Sequence, residues 1–82
     1  MRSIPVSSHP FTVRVDPLTS TLLVASLAGN EVTLISTETH EITGTVKTGT
    51  APWGIDIDRY EHLAYITHRG VYHITVLDII ER

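Results

Sequence analysis

The sequence predicts an all-β fold built from two copies of one four-strand unit, and three observations carry that expectation. Apolar residues alternate at Phe11, Val13 and Val15, and again at Trp53, Ile55 and Ile57, which is the two-residue period of a strand. Short runs rich in Val, Ile, Thr and Leu are separated by turn clusters such as Asp16-Pro17-Leu18-Thr19-Ser20, Ala28-Gly29-Asn30 and Thr37-Glu38-Thr39-His40. The chain also aligns with itself, without a gap, at an offset of 42 residues.

Strands are expected over 11–15, 22–26, 31–36 and 41–47, then over 53–57, 63–68 and 73–78. The first is the alternating Phe11-Val13-Val15 stretch, closed by the Asp16-Pro17 turn. The second, Leu22 to Ser26, ends at Ala28-Gly29-Asn30. The third, Val32-Thr33-Leu34-Ile35-Ser36, ends at Thr37 to His40. The fourth runs to Lys47, before Thr50-Ala51-Pro52. The offset then repeats the set. His9 to Asp16 falls over Ala51 to Asp58, Leu23 to Ser26 over Tyr65 to His68, and Val32 to Ser36 over Ile74 to Asp78. Identities are few: Pro10/Pro52, Asp16/Asp58 and Thr33/Thr75. What recurs is chemistry at position, aromatic over aromatic and β-branched over β-branched. The β-branched density and the close breakers disfavour amphipathic helices. Four strands per 42 residues is the arithmetic of a β-propeller blade.

Pro-Phe/Trp, alternating Val/Ile, then Asp, then Tyr65-Ile66-Thr67-His68 resembles the YVTN-type β-propeller repeat. His68 stands where that family has Asn, and the first copy reads Leu23-Val24-Ala25-Ser26. The resemblance covers nearly the whole chain as almost two repeats. It implies blades of four antiparallel strands stacked around an axis, and it implies a fold more firmly than an activity.

Residues 1–82 are therefore expected to form one two-blade unit, with 9–50 as the first blade and 51–82 as the second, lacking its outer strand. The missing strand lies at the other end, where Ser3 to His9 aligns with Thr45 to Ala51. Residues 1–8, carrying Ile4 and Val6, are expected to pair with Ile74 and Val76 of a neighbouring copy. Pro5 suits such an outermost strand, because it lacks a ladder donor. Two blades leave two apolar faces bare, so a closed homo-oligomeric ring is expected. Two blades per chain require an even count, six in a trimer, which is favoured, or eight in a tetramer. A fragment of a larger propeller is the competing reading.

Composition narrows the function classes. A 41% hydrophobic and 18% charged chain is foldable, not disordered. The absence of cysteine excludes disulfides and cysteine-ligated zinc. A net charge of −3 argues against nucleic acid or an anionic membrane as partner. No apolar run approaches the ~20 residues of a membrane-spanning helix. Residues 1–10 do not read as a signal peptide, and the compartment is left open.

The candidate sites follow from position. His9, His40, His62, His68 and His73 form no metal-binding motif and read as surface turn residues; a ring would gather the copies of His9 at the channel mouth. Trp53 reads as a wedge between blades, or as a sugar-stacking platform in a lectin-like ring that would also use His9 and His68. Asp16 and Asp58 read as turn-stabilising residues. Arg14 and Asp56 occupy equivalent places on the two innermost strands and are expected to alternate around the axis. No nucleophile elbow, phosphate loop or cofactor motif is present. The function expected is self-assembly and scaffolding without catalysis or cofactor, the alternative being a ligand-binding ring.

Overall fold

The computed structural model describes residues 1–81. Seven strands follow one another: β1 (Pro10–Asp16), β2 (Thr21–Ser26), β3 (Glu31–Ser36), β4 (Ile42–Lys47), β5 (Pro52–Asp58), β6 (Leu63–His68) and β7 (Ile74–Asp78). They form two antiparallel sheets, β1-β2-β3-β4 and β5-β6-β7, each in chain order. The fold is all-β. Among the described residues no helix is long and apolar enough to cross a membrane.

The first and fifth strands begin one residue earlier than the alternation predicts. Pro10 pairs with Ser26, and Pro52 with His68, each across an irregularity in the ladder. A proline fits there because the edge of a sheet does not need its missing N–H.

Short polar residues shape the turns. Asp16 accepts bonds from the Leu18 amide (3.3 Å) and the Thr19 hydroxyl (2.9 Å). Asp58 accepts from the amides of Tyr60 (3.0 Å) and Glu61 (3.3 Å), and Asp78 from Ile80 (3.0 Å) and Glu81 (2.8 Å). These are Asx turns, in which a carboxylate replaces a backbone acceptor. Two backbone bonds recur at the 42-residue offset. Leu27 N–H donates to His9 at 2.9 Å and Arg69 to Ala51 at 3.0 Å; Thr37 donates to Ser20 and Ile79 to His62, both at 2.9 Å.

The core lies between the sheets. Leu23 and Ala25 of β2, with Val32 and Leu34 of β3, meet Ile55 of β5, Ala64 and Ile66 of β6, and Leu77 of β7. Ile79 closes one end. Residues two apart share a face, so the alternate residues of each strand point away from this core.

Residues 1–8 are expected to pair with a neighbouring copy; within this chain residues 1–6 carry no strand and residues 7–9 bend. His9 adopts a left-handed φ of 54°. Ser7 is held by its own first sheet: the Ser26 hydroxyl donates to the Ser7 carbonyl at 3.4 Å, and the Ser7 side chain lies near enough to the Glu31 carboxyl to help hold it below its ordinary value. Local side-chain bonds thus replace a ladder that a single chain does not supply.

Candidate functional site

Among the described residues no group of three or more His, Asp or Glu side chains gathers to hold a metal ion. The histidines are dispersed. His68 is buried at 7% exposure, and its ring is engaged on both sides. Nδ1 contacts the Thr50 carbonyl, and Nε2 lies 2.6 Å from Thr75 Oγ1. A carbonyl only accepts, so Nδ1 carries the proton and the Thr75 hydroxyl donates to Nε2. The His73 ring packs beside it at 4.7 Å. His68 therefore braces β6, β7 and the loop before β5 from inside the fold, where the sequence pattern suggests a surface turn residue. His9 is exposed, and its carbonyl anchors Leu27.

Trp53 is partly exposed. Its ring lies 4.2 Å from that of Phe11, tilted by 32°, and the Arg69 guanidinium sits 5.3 Å from its centroid. The Thr12 hydroxyl bonds the Trp53 carbonyl. The aromatic pair thus joins β1 to β5, the two strands that open the sheets.

Arg14 and Asp56 line one cleft of about 180 Å³, with Asp16, Pro17 and Arg59 on its walls. Both side chains are turned to their own backbone. Arg14 Nη1 donates to the Val13 carbonyl and Asp56 Oδ1 accepts from Ile57 N–H, each at 3.0 Å. No ion pair joins the two charges within this chain. The described residues instead pair Lys47 with Glu31 at 2.9 Å and place His62 Nδ1 3.7 Å from Asp16 Oδ2. The Lys47 ammonium bonded to Glu31 holds that carboxyl below its ordinary value, with the Ser7 contact adding to the effect. Sequence pattern alone misses the His62–Asp16 approach, because Asp16 ends β1 of the first sheet and His62 lies in the turn before β6 of the second.

The other candidate residues lie on outward sheet faces and at the N-terminal end. Ile74 and Val76 of β7 are 58% and 56% exposed. Tyr65 pairs between Asp56 and Val76, so these three share the open face of the second sheet. β7 is the last strand of that sheet, and its far edge has no neighbouring strand among the described residues. Val13 and Val15 point outward from the first sheet at 50% and 53% exposure. Ile4 and Val6 are half-buried. The second sheet therefore presents a partly apolar open face and, at β7, an edge without a fourth strand, whereas the first sheet exposes Val13 and Val15 on its outward side. No protein-family model matches this chain, and no curated protein matches it.

Proposed function

We propose that this chain is a two-blade, YVTN-like β-propeller unit that assembles head to tail with further copies into a closed ring, and that its function is that of a scaffold without catalysis. One observation carries the reading. The two halves of the inter-sheet core recur, 42 residues away, on the two outward faces.

From the first sheet the core takes Leu23, Val32 and Leu34, whose counterparts Tyr65, Ile74 and Val76 face outward on the second. From the second sheet it takes Ile55, Ile66 and Leu77, whose counterparts Val13, Val24 and Ile35 form the outer face of the first. The packing between the sheets is thus a template, and each end of the chain offers the half that the other end lacks. A heterologous contact of this kind generates a ring when its rotation closes. A closed ring of two-blade chains has an even blade number, with the trimer favoured over the tetramer.

Light scattering across a concentration series tests this reading. A mass of three or four chains, each 9.1 kDa, is the expected outcome. The mass of a single chain at every concentration, for the parent and for the Gly29→Ala variant introduced below, overturns it. A lectin-like ring is the lesser reading, favoured by the partial exposure of Trp53 beside Arg69. In a closed ring, however, Phe11 of the next copy covers that exposed side of Trp53. A glycan array separates the two.

A further inference from the structure

We infer that residues 1–8 gate this assembly by occupying, in cis, the face that a second copy must use; the inference rests on the assembly reading above. The outer face of the first sheet is not uniformly open. Val13 and Val15 are exposed on β1, and Ile42 on β4. On the same face, Val24, Thr33 and Ile35 of the central strands are only 5%, 2% and 2% exposed. Register places them there: Val13 pairs with Val24 and Val24 with Thr33, and Ile35 pairs with Leu22, the neighbour of Val15. The open face of the second sheet shows what an uncovered central strand looks like, since Tyr65 and Thr67 of β6 are both exposed.

Something covers β2 and β3. Among the described residues, the segment before β1 is the one stretch outside the sheets and the turns that join or follow their strands. Its path is pinned at Ser7, whose partners Ser26 and Glu31 project from this same outer face. The approach is close: a Cβ at Gly29 would clash with Ser7 Oγ and lie 3.0 Å from Ser7 Cβ. The chain bends at residues 7–9, and Ile4 and Val6 before the bend are half-buried; a path of residues 1–6 over this face accounts both for that burial and for the cover on β2 and β3.

Val24 and Ile35 are the counterparts of Ile66 and Leu77, which the inner core buries against the opposing sheet. A second copy seated by the same packing needs the space that residues 1–8 fill. Cover and partner are mutually exclusive, and the segment must swing away for the ring to form. Its alternative site is the open β7 edge of the neighbour. Ile4 corresponds to Val46, which pairs with Val32, so it would lie beside Ile74 of the second copy. The same eight residues therefore act as an intrachain cover in the free chain and as the fourth strand of a neighbouring blade in the ring.

The double variant Ser7→Cys, Gly29→Cys tests this in a chain that has no cysteine of its own. The Cβ separation needs to open by about 0.5 Å or more to reach the ~3.5–4.5 Å of a disulfide. The oxidised protein is expected to keep the mass of one chain at concentrations where the reduced variant and the parent assemble. Gly29→Ala, which displaces Ser7, is expected to lower the concentration at half-assembly several-fold, read by light scattering and by emission of the single Trp53. Equal masses for oxidised and reduced forms, with the parent assembled, overturn the cover and leave the assembly reading standing. If the parent stays a single chain, Gly29→Ala decides: assembly of that variant supports the cover, and a single-chain mass overturns both.

Discussion

His68 and His9 differ only in what surrounds the imidazole. His68 spans from the Thr50 carbonyl to the Thr75 hydroxyl inside the fold, whereas His9 is exposed. Removing a buried partner strands polar groups that water cannot reach, at a cost of ~1–3 kcal/mol. His68→Ala is therefore expected to lose about that much in urea unfolding, while His9→Ala stays within ~0.5 kcal/mol of the parent. Glu31 supplies the pH dependence at this scale. Its folded-state carboxyl titrates below the ordinary value of 4.5, chiefly through the bond to Lys47. The stabilisation is present above that ordinary value and is lost as pH falls through the lowered, folded-state value. Melting temperatures followed from neutral pH into acid should fall more steeply for the parent than for Glu31→Gln. Parallel curves would show that the pair contributes nothing measurable, the usual fate of an exposed ion pair.

At the scale of the strand, position in the sheet stack outweighs residue type. Leu34 of β3 and Val76 of β7 are counterparts, yet one is fully buried between the sheets and the other is more than half exposed. Leu34→Ala leaves a cavity in the inter-sheet core and is expected to cost ~2–5 kcal/mol. Val76→Ala removes a methyl pair from an open face, so the dilute single chain should unfold within ~0.5 kcal/mol of the parent. On the assembly reading the same change raises the concentration at half-assembly. Urea unfolding at low concentration and light scattering at high concentration separate the two effects. A Val76→Ala variant with unchanged assembly would show that this face is not the contact. β1 illustrates the same rule. Its alternation is as regular as that of β5, but Ile55 is buried and Val13 is half exposed, because only β5 turns its apolar side to another sheet.

At the scale of the whole molecule, the proposed ring is tested through Arg14 and Asp56. They share a cleft without meeting in one chain, and equivalent positions on alternating blades would place each Arg14 between two Asp56 carboxylates in an even-numbered ring. A pair of this kind specifies register more than it adds stability. Arg14→Ala is expected to lower the melting temperature of the assembled protein more than Arg14→Ala combined with Asp56→Ala, since the double change removes the orphaned carboxylate. Equal melting temperatures for parent, single and double variants would show two charges that never interact.

The all-β class, the seven strands to within a residue at most ends, and the Asx turns at Asp16 and Asp58 were legible in the sequence. Each rests on short-range physics: two-residue alternation, β-branched side chains, and a carboxylate two or three residues from the amide it accepts. His68 was legible only as a histidine near a turn, because its partners Thr50 and Thr75 come from separate strands and loops. How residues 1–8 lie within a single chain was not legible. Their alternation of Ile4 and Val6 fits a strand, but a strand needs an edge to pair with, and the nearest surface offers the side chains of Ser26 and Glu31 instead. Local pattern determines what each segment of this chain can become, and only the packing of the two sheets decides which faces are covered, which stay open, and where the first eight residues lie.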